Sequence, residues 1–445
     1  MSRNGTLVLM FVLCGIIFVS CGEQDPGQSN TGPDADTVGE ALTDDLLTLP
    51  DADALSETEI QALYQKSDGA AERLSPALTA ANTDFAFRLF RSIDAQEQGK
   101  NLFIAPFSIS VALAMTYNAA RNDTQDEMSH TLGYDPFSVS EVNDHFRTLL
   151  DSISFVDVAA VLKTANSFWL NSGWRSRINA DFIQLLKDDY DSTVGFYDDI
   201  SEGCSLVNDW IAEQTEDKIT DMLDPASLDP DIVFFLVNAL YFKSSWTTPF
   251  EDHDTAIDTF TRRDGTTLKV PFMRMEDLFS VCENAGYELL RLPYGREKIA
   301  LYIVKPPFTG SLDEQLAGLT SAIVDQCIAD LWDSGLTLKL PRFKIDYFVE
   351  LGPRLVEMGM PLAFSPSADL SGMQNGGNAL YLDFVKHRAF ITVDERGSEA
   401  GGATVAAGLP KSVPQWSMSR PFLFFIRDDR SGTILFLGKV ENPIE

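Results

Sequence analysis

Near the C-terminus, the stretch from Asp394 to Ala407 is built almost wholly of residues too small to anchor themselves in a core. Residues two apart in an extended chain share one face. Ser398, Ala400, Gly402, Thr404 and Ala406 form one such set, all small and uncharged, while Glu399 falls on the other face. A segment patterned this way could enter an existing β-sheet between two strands without a clash. Taken alone, it is equally compatible with a flexible Gly/Ala linker, so its surroundings must decide.

The chain has 445 residues, 44% of them hydrophobic, enough for one large core or two smaller ones. Its formal net charge of −32 argues against nucleic acid or anionic lipid headgroups as partners, which it would repel. A cationic protein would be attracted, although acidity also serves plain solubility. At the N-terminus, Arg3 precedes the apolar run Leu7 to Val19 and then Ser20-Cys21. That run is short for a membrane span and has the form of an export signal. Phe18-Val19-Ser20-Cys21 resembles a bacterial lipobox, with Phe18 where Leu is usual, and implies lipidation of Cys21 after removal of residues 1–20. An ordinary signal peptide in which Cys21 is incidental is the other reading. Residues 22–65 contain no Lys or Arg and many Asp and Glu. Residues 21–77 therefore read as a disordered acidic tether, with the folded domain at 78–445.

Of the five cysteines, Cys14 leaves with the signal and Cys21 goes to lipid; Cys204, Cys282 and Cys327 remain, far apart in sequence and odd in number. Neither a disulfide framework nor a zinc site is expected. His130, His145, His253 and His387 do not cluster with possible co-ligands.

Phe85, Ala86, Leu89, Phe90 and Ile93 recur at helical spacing, with Asn82 or Thr83 as the cap. A second helix is expected from Pro106. Val158 to Leu170 and Ile232 to Phe242 read as strands covered on both faces. Further strands are expected at Tyr287–Leu292, Ile299–Val304 and Leu336–Leu340, and Phe422–Ile426 with Thr433–Leu437 forms a hairpin pattern. Helices dominate early and strands late, without βαβ alternation, which indicates an α+β fold.

No GxSxG, HExxH or phosphate-binding loop is present, so catalysis is not expected. Several stretches, in order, resemble the serpin family across residues 78–443. They are Asn101 to Ser110 (NLFIAPFSIS), Phe234 to Phe250 (FFLVNALYFKSSWTTPF), Ala368 to Gly372 (ADLSG), Val385 to Ala400 (VKHRAFITVDERGSEA) and Arg420 to Pro443.

The resemblance implies helices packed on a large central mixed β-sheet, smaller sheets, and an exposed reactive loop at about residues 395–420. It further implies a suicide inhibitor of serine proteases whose loop joins the sheet after cleavage. Glu395, Gly397, Ser398, Glu399, Ala400, Gly401, Gly402, Ala403 and Thr404 match the hinge; Gly401 and Gly402 replace family-typical alanines. Lys411 and Ser412 match the reactive bond, and a lysine there suits a trypsin-like protease. Cleavage after Leu409 by a subtilisin- or chymotrypsin-like enzyme, inhibition of a cysteine protease, or a non-inhibitory binding role are the alternatives. Asn238 and His387, with Ser108 nearby, match a polar pair beneath the sheet; Ala105 stands where a serine is frequent. Trp246 and an Arg342–Glu395 ion pair match the point where the loop first enters. The acidic stretch Asn122 to His145 leaves no place for a heparin-like cofactor, and a monomer tethered outside the cell is expected.

Overall fold

The computed structural model describes residues 12–21, 55–158, 160–305, 311–375, 380–396 and 414–444. The N-terminal part holds strand β1 (Val12–Cys21) and helices α1 (Glu57–Ala71) and α2 (Pro76–Gln96). Then come β2 (Leu102–Ile104), α3 (Pro106–Tyr117), α4 (Asn122–Leu132) and α5 (Val139–Ile153). The middle runs β3 (Ala160–Asn171), α6 (Ala180–Tyr190), β4 (Ser192–Tyr197), α7 (Ile200–Gln214) and β5 (Ile232–Ser244). Strands β6 (Ala256–Thr261), β7 (Thr267–Asn284), β8 (Tyr287–Tyr294) and β9 (Ile299–Val304) follow, then α8 (Leu312–Gly318) and α9 (Ser321–Ala329). The last part holds β10 (Trp332–Pro341), β11 (Phe343–Glu350), α10 (Gly352–Met358), β12 (Leu380–Val393), β13 (Gln415–Ser417), β14 (Phe422–Asp428) and β15 (Thr433–Val440).

Among the described residues the strands form two sheets. One has six strands in the order β11-β12-β1-β5-β3-β4. The other has nine, ordered β13-β10-β7-β8-β9-β14-β15-β2 with β6 on β7. Strand β5 is buried along nearly its whole length, as its unbroken run of Val, Ile, Leu and Phe requires. Helix α3 is likewise buried on every side, packed on β5 and β15. The β14–β15 hairpin turns through Gly432, whose φ of +76° favours glycine. At Gly372 a Cβ would lie 2.4 Å from the Arg121 guanidinium, so a larger residue there would have to displace that side chain.

Several sequence expectations need correction. The first long helix starts at Pro76 with Ser75 as its cap, so Asn82 and Thr83 lie inside it. Ser75-Pro76 is the stronger start signal, combining a capping hydroxyl with proline at the first helical position. Strands β3 and β4 pair in parallel with α6 between them, a βαβ unit where no such alternation was expected.

The acidic tether does not run unbroken to residue 77. Helix α1 opens with a reciprocal capping box between Ser56 and Glu59. It docks through Tyr64, Ser67, Ala70 and Ala71, all buried. The Tyr64 hydroxyl accepts from the Val158 N–H at 3.0 Å, and the Arg296 guanidinium lies 3.5 Å from the Tyr64 ring centre. Arg430 donates to Ser67 Oγ at 2.5 Å and to Asp68 at 3.1 Å. Few apolar residues carry this docking, so the acidic composition hid it.

The N-terminal apolar run, expected to lie outside the fold as a leader, contributes β1 to the middle of the six-stranded sheet. Val12, Ile16, Ile17 and Val19 give it the β-branched content of a strand.

His145, on α5, is 3% exposed and, among the described residues, neither ring nitrogen has a hydrogen-bond partner. Burial lowers its pKa from 6.5 to about 4, so it is neutral in the fold. Because the folded pKa is the lower one, this contribution to stability is complete above about pH 6.5 and is lost as pH falls towards 4. The loss is about 3 kcal/mol. Thermal unfolding of His145→Leu should therefore show a smaller drop in midpoint between pH 7 and pH 4 than the parent chain. Equal drops would place the acid sensitivity elsewhere.

Candidate functional site

The six-stranded sheet has a slot between β5 and β12, filled by β1. Both flanking strands run antiparallel to β1, so β5 and β12 are parallel to one another. Gly15 of β1 pairs with Asn238 on one side and with His387 on the other. The slot thus holds a ten-residue strand along its length.

Beneath the slot lies a buried polar chain. Ser108, near the start of α3, donates through its hydroxyl to Asn238 Oδ1. Asn238 Nδ2 donates to Asn166 Oδ1 at 2.6 Å, and Asn166 Nδ2 donates to the Tyr190 carbonyl at 2.6 Å. Across the slot, His387 Nε2 accepts from the Ala105 N–H at 3.1 Å, which places the proton of a neutral ring on Nδ1. Ser108, Asn238 and His387 are 0% exposed and Asn166 is 2% exposed. Polar groups so deeply buried are costly unless paired. Asn166 was missed in the sequence, although an Asn inside the run Val158–Leu170 was the available signal.

At the end of the slot where β12 exits, Val393 leads into Asp394, Glu395 and Arg396. Arg342, just before β11, donates through Nε to Glu395 Oε1 at 2.7 Å, with a second guanidinium nitrogen at 2.5 Å. The Thr255 hydroxyl donates to the same carboxylate, and the Phe250 N–H donates to the Glu395 carbonyl at 2.9 Å. Glu395 is only 2% exposed, while the Arg342 side chain that covers it is 43% exposed, so a buried carboxylate meets a solvent-facing cation. Its hydrogen bond holds the Arg342 guanidinium above its usual pKa. Trp246 Nε1 donates to the Asp394 carbonyl at 2.8 Å, and the indole stacks on Tyr294 with ring centres 4.3 Å apart. Burial pushes the Asp394 carboxyl up. Thr255, Phe250 and Tyr294 are the members of this cluster that the sequence reading did not name.

Trp246, Arg342 and Glu395 thus come together at one end of the slot, and Ser108 and Asn238 beneath it, with His387 on its far side. The hinge positions Gly397 to Thr404 and the bond Lys411–Ser412 lie outside the described residues. Cys21 is the last residue of β1, its backbone opposite Leu380. Among the described residues, no group of three or more His, Cys, Asp or Glu is gathered to hold a metal ion.

Comparison with known proteins bears directly on this geometry. The family model described as Serpin (serine protease inhibitor) matches residues 80–443. The chain belongs to the serpin family. Alpha-1-antitrypsin of Sus scrofa is 31% identical over 402 residues, covering 88% of this chain and 93% of that protein. The native-state structure of the thermophilic serpin tengpin superposes with a TM-score of 0.74 at 28% identity, over 83% of this chain and 95% of tengpin. Thyroxine-binding globulin in complex with thyroxine gives a TM-score of 0.71 at 28% identity, over 82% of this chain and 99% of the globulin. Serpin membership supports protease inhibition as the general activity, and the α+β serpin fold is the one observed.

The Arg342–Glu395 contact can be tested by stability. Arg342→Ala leaves a buried carboxylate without its cation, and because that cation is half-exposed and Thr255 still donates to Glu395 the cost in urea unfolding should be about 1–2 kcal/mol. Adding Glu395→Gln should recover most of that loss. A double variant as unstable as Arg342→Ala alone would show that the charge pairing is not the source of the cost.

Proposed function

We propose that this serpin is a suicide-substrate inhibitor of extracellular trypsin-like serine proteases, cleaved at Lys411–Ser412 and completed by insertion of its own loop between β5 and β12. The observation that carries the reading is the slot itself. A segment that leaves β12 at Val393 and doubles back through Asp394–Arg396 would run antiparallel to both β12 and β5. That is the polarity of β1, the strand now in the slot.

The chemistry follows from the loop sequence. The protease serine attacks the Lys411 carbonyl, the peptide bond breaks, and the acyl-enzyme retains Lys411 while the amine of Ser412 leaves. Ser398, Ala400, Gly402, Thr404 and Ala406 then enter the sheet as its inward set, and the tethered protease is carried along. Distortion of its oxyanion hole removes donors that deacylation needs, so the ester persists. Glycine in a strand costs roughly 0.5–1 kcal/mol relative to alanine, so Gly401 and Gly402 slow insertion slightly.

The end of the slot controls its opening. Glu395 is tied to Arg342 and Thr255, and Asp394 to Trp246, so the hinge pivots on a fixed point. In the middle, withdrawal of β1 and closure of the sheet would bring Asn238 and His387 into facing register. Cleavage before Cys21 would remove Val12–Ser20 and vacate the slot, leaving a lipidated Cys21 and an acidic tether that ends at α1. On this reading the inhibitor is a monomer held at a cell surface or in a periplasm, with no nucleic acid and no heparin-like cofactor involved.

The likeness to thyroxine-binding globulin in complex with thyroxine favours one other reading, a non-inhibitory small-molecule carrier. The uncharged, small inward set of the hinge favours the inhibitor.

A chain lacking residues 1–21, mixed with trypsin, should give a covalent complex stable in detergent and a C-terminal fragment beginning at Ser412. A fragment with another start relocates the reactive bond. Ala400→Arg places a charge on the inserting face and should turn the protein into a cleaved substrate that traps no protease. Trapping at the parent level by that variant would sink loop insertion as the mechanism.

A further inference from the structure

Sequence spacing gave no reason to pair the three internal cysteines, but the fold brings two of them together. Cys282 lies near the end of β7, opposite Leu289 of β8, and Cys327 lies on the face of α9 that packs against β7. Their exposures are 1% and 0%. Asn284, two residues on from Cys282 and on the same face of the strand, donates to Asp330, three residues on from Cys327, so the register of β7 against α9 sets the two cysteines beside one another. One turn along, the same junction is braced by polar contacts. Asn284 Nδ2 donates to Asp330 at 3.0 Å, and Gln326 Nε2 donates to the same carboxylate at 2.9 Å. The end of α9 is therefore held against the end of β7 independently of the sulfur atoms. Cys204, on α7, packs against the six-stranded sheet with Tyr197 and Lys386 as neighbours, away from this junction.

We propose that Cys282 and Cys327 form a disulfide bond when the protein folds in an oxidising compartment. The oxidant is a small-molecule or protein disulfide. One cysteine thiolate attacks a sulfur of that disulfide, forming a mixed disulfide and releasing one thiol. The second thiolate attacks the protein sulfur of the mixed disulfide and releases the second thiol. The two protein thiols lose two protons and two electrons, and the oxidant disulfide takes up both to become two thiols. Because both sulfurs are buried, exchange takes place while α9 is still undocked. The bond closes the segment containing β8, β9 and α8 into a loop and ties α9 to the nine-stranded sheet.

Burial holds both thiols above the ordinary thiol pKa, so the folded, reduced pair is a poor nucleophile. Oxidation should accordingly be fast during refolding and slow once the protein is native.

The test is independent of protease inhibition. The full chain is refolded in a buffer of reduced and oxidised glutathione, denatured, alkylated and digested. Mass mapping should find Cys282 and Cys327 in one cross-linked species and Cys204 alkylated, with the cross-link lost on reduction. The thermal midpoint of the oxidised parent should exceed that of the reduced parent by about 5 °C, a difference that vanishes in Cys282→Ala/Cys327→Ala. Recovery of both cysteines fully alkylated, or a cross-link to Cys204, would overturn the proposal whatever the fate of the double variant.

Discussion

Everything distinctive in this molecule depends on the backbone groups that β5 and β12 turn towards one another. Buried strand edges must find hydrogen-bond partners, and two parallel strands can meet that demand directly or through a third strand laid antiparallel between them. In this structure the third strand is β1, which pairs with β12 at eight positions between Val12 and Cys21 and with β5 at seven between Cys14 and Ser20. A sheet that satisfies its middle either way has two states of similar construction, and an apolar or small-residue segment can choose between them.

The surrounding polar groups suit that duality. Asn238 bonds Ser108 and Asn166 on one side of the slot, and His387 bonds the Ala105 backbone on the other. At the exit of β12, Glu395 is clamped by Arg342, Thr255 and the Phe250 N–H. The clamp fixes where a returning segment must begin its descent. The nine-stranded sheet is packed by aromatic contacts such as Phe103 with Phe424 and Phe436.

The strands were legible in the sequence wherever burial on both faces wrote continuous apolar runs, as in β5, β9, β14 and β15. Pro106 marked the start of α3 for the simple reason that proline suits a first turn. Glu395 and Arg342 were paired by family resemblance, yet the depth of burial of Glu395 could not be read from one dimension. The misses have physical causes. Helix α1 docks by a few small residues, a tyrosine and an arginine from the distant β14–β15 turn, so its local composition looks like a tether. Asn166 sits in a strand that reads as apolar, because one polar residue scarcely alters the pattern. Cys282 and Cys327 are brought together by the packing of α9 on β7, which no spacing rule anticipates. The apolar run Val12–Cys21 reads as a leader in sequence, and its pairing as β1 between β5 and β12 depends on contacts far along the chain.

The most direct test of the central claim is the heat stability of the chain lacking residues 1–21, measured before and after its loop is cut at Lys411–Ser412. Insertion adds a strand of about ten residues, each ladder bond contributing about 1 kcal/mol, and for a domain of this size that corresponds to a rise of the thermal midpoint on the order of 10–20 °C. An unchanged or lowered midpoint after cleavage would mean that the slot between β5 and β12 does not receive the loop.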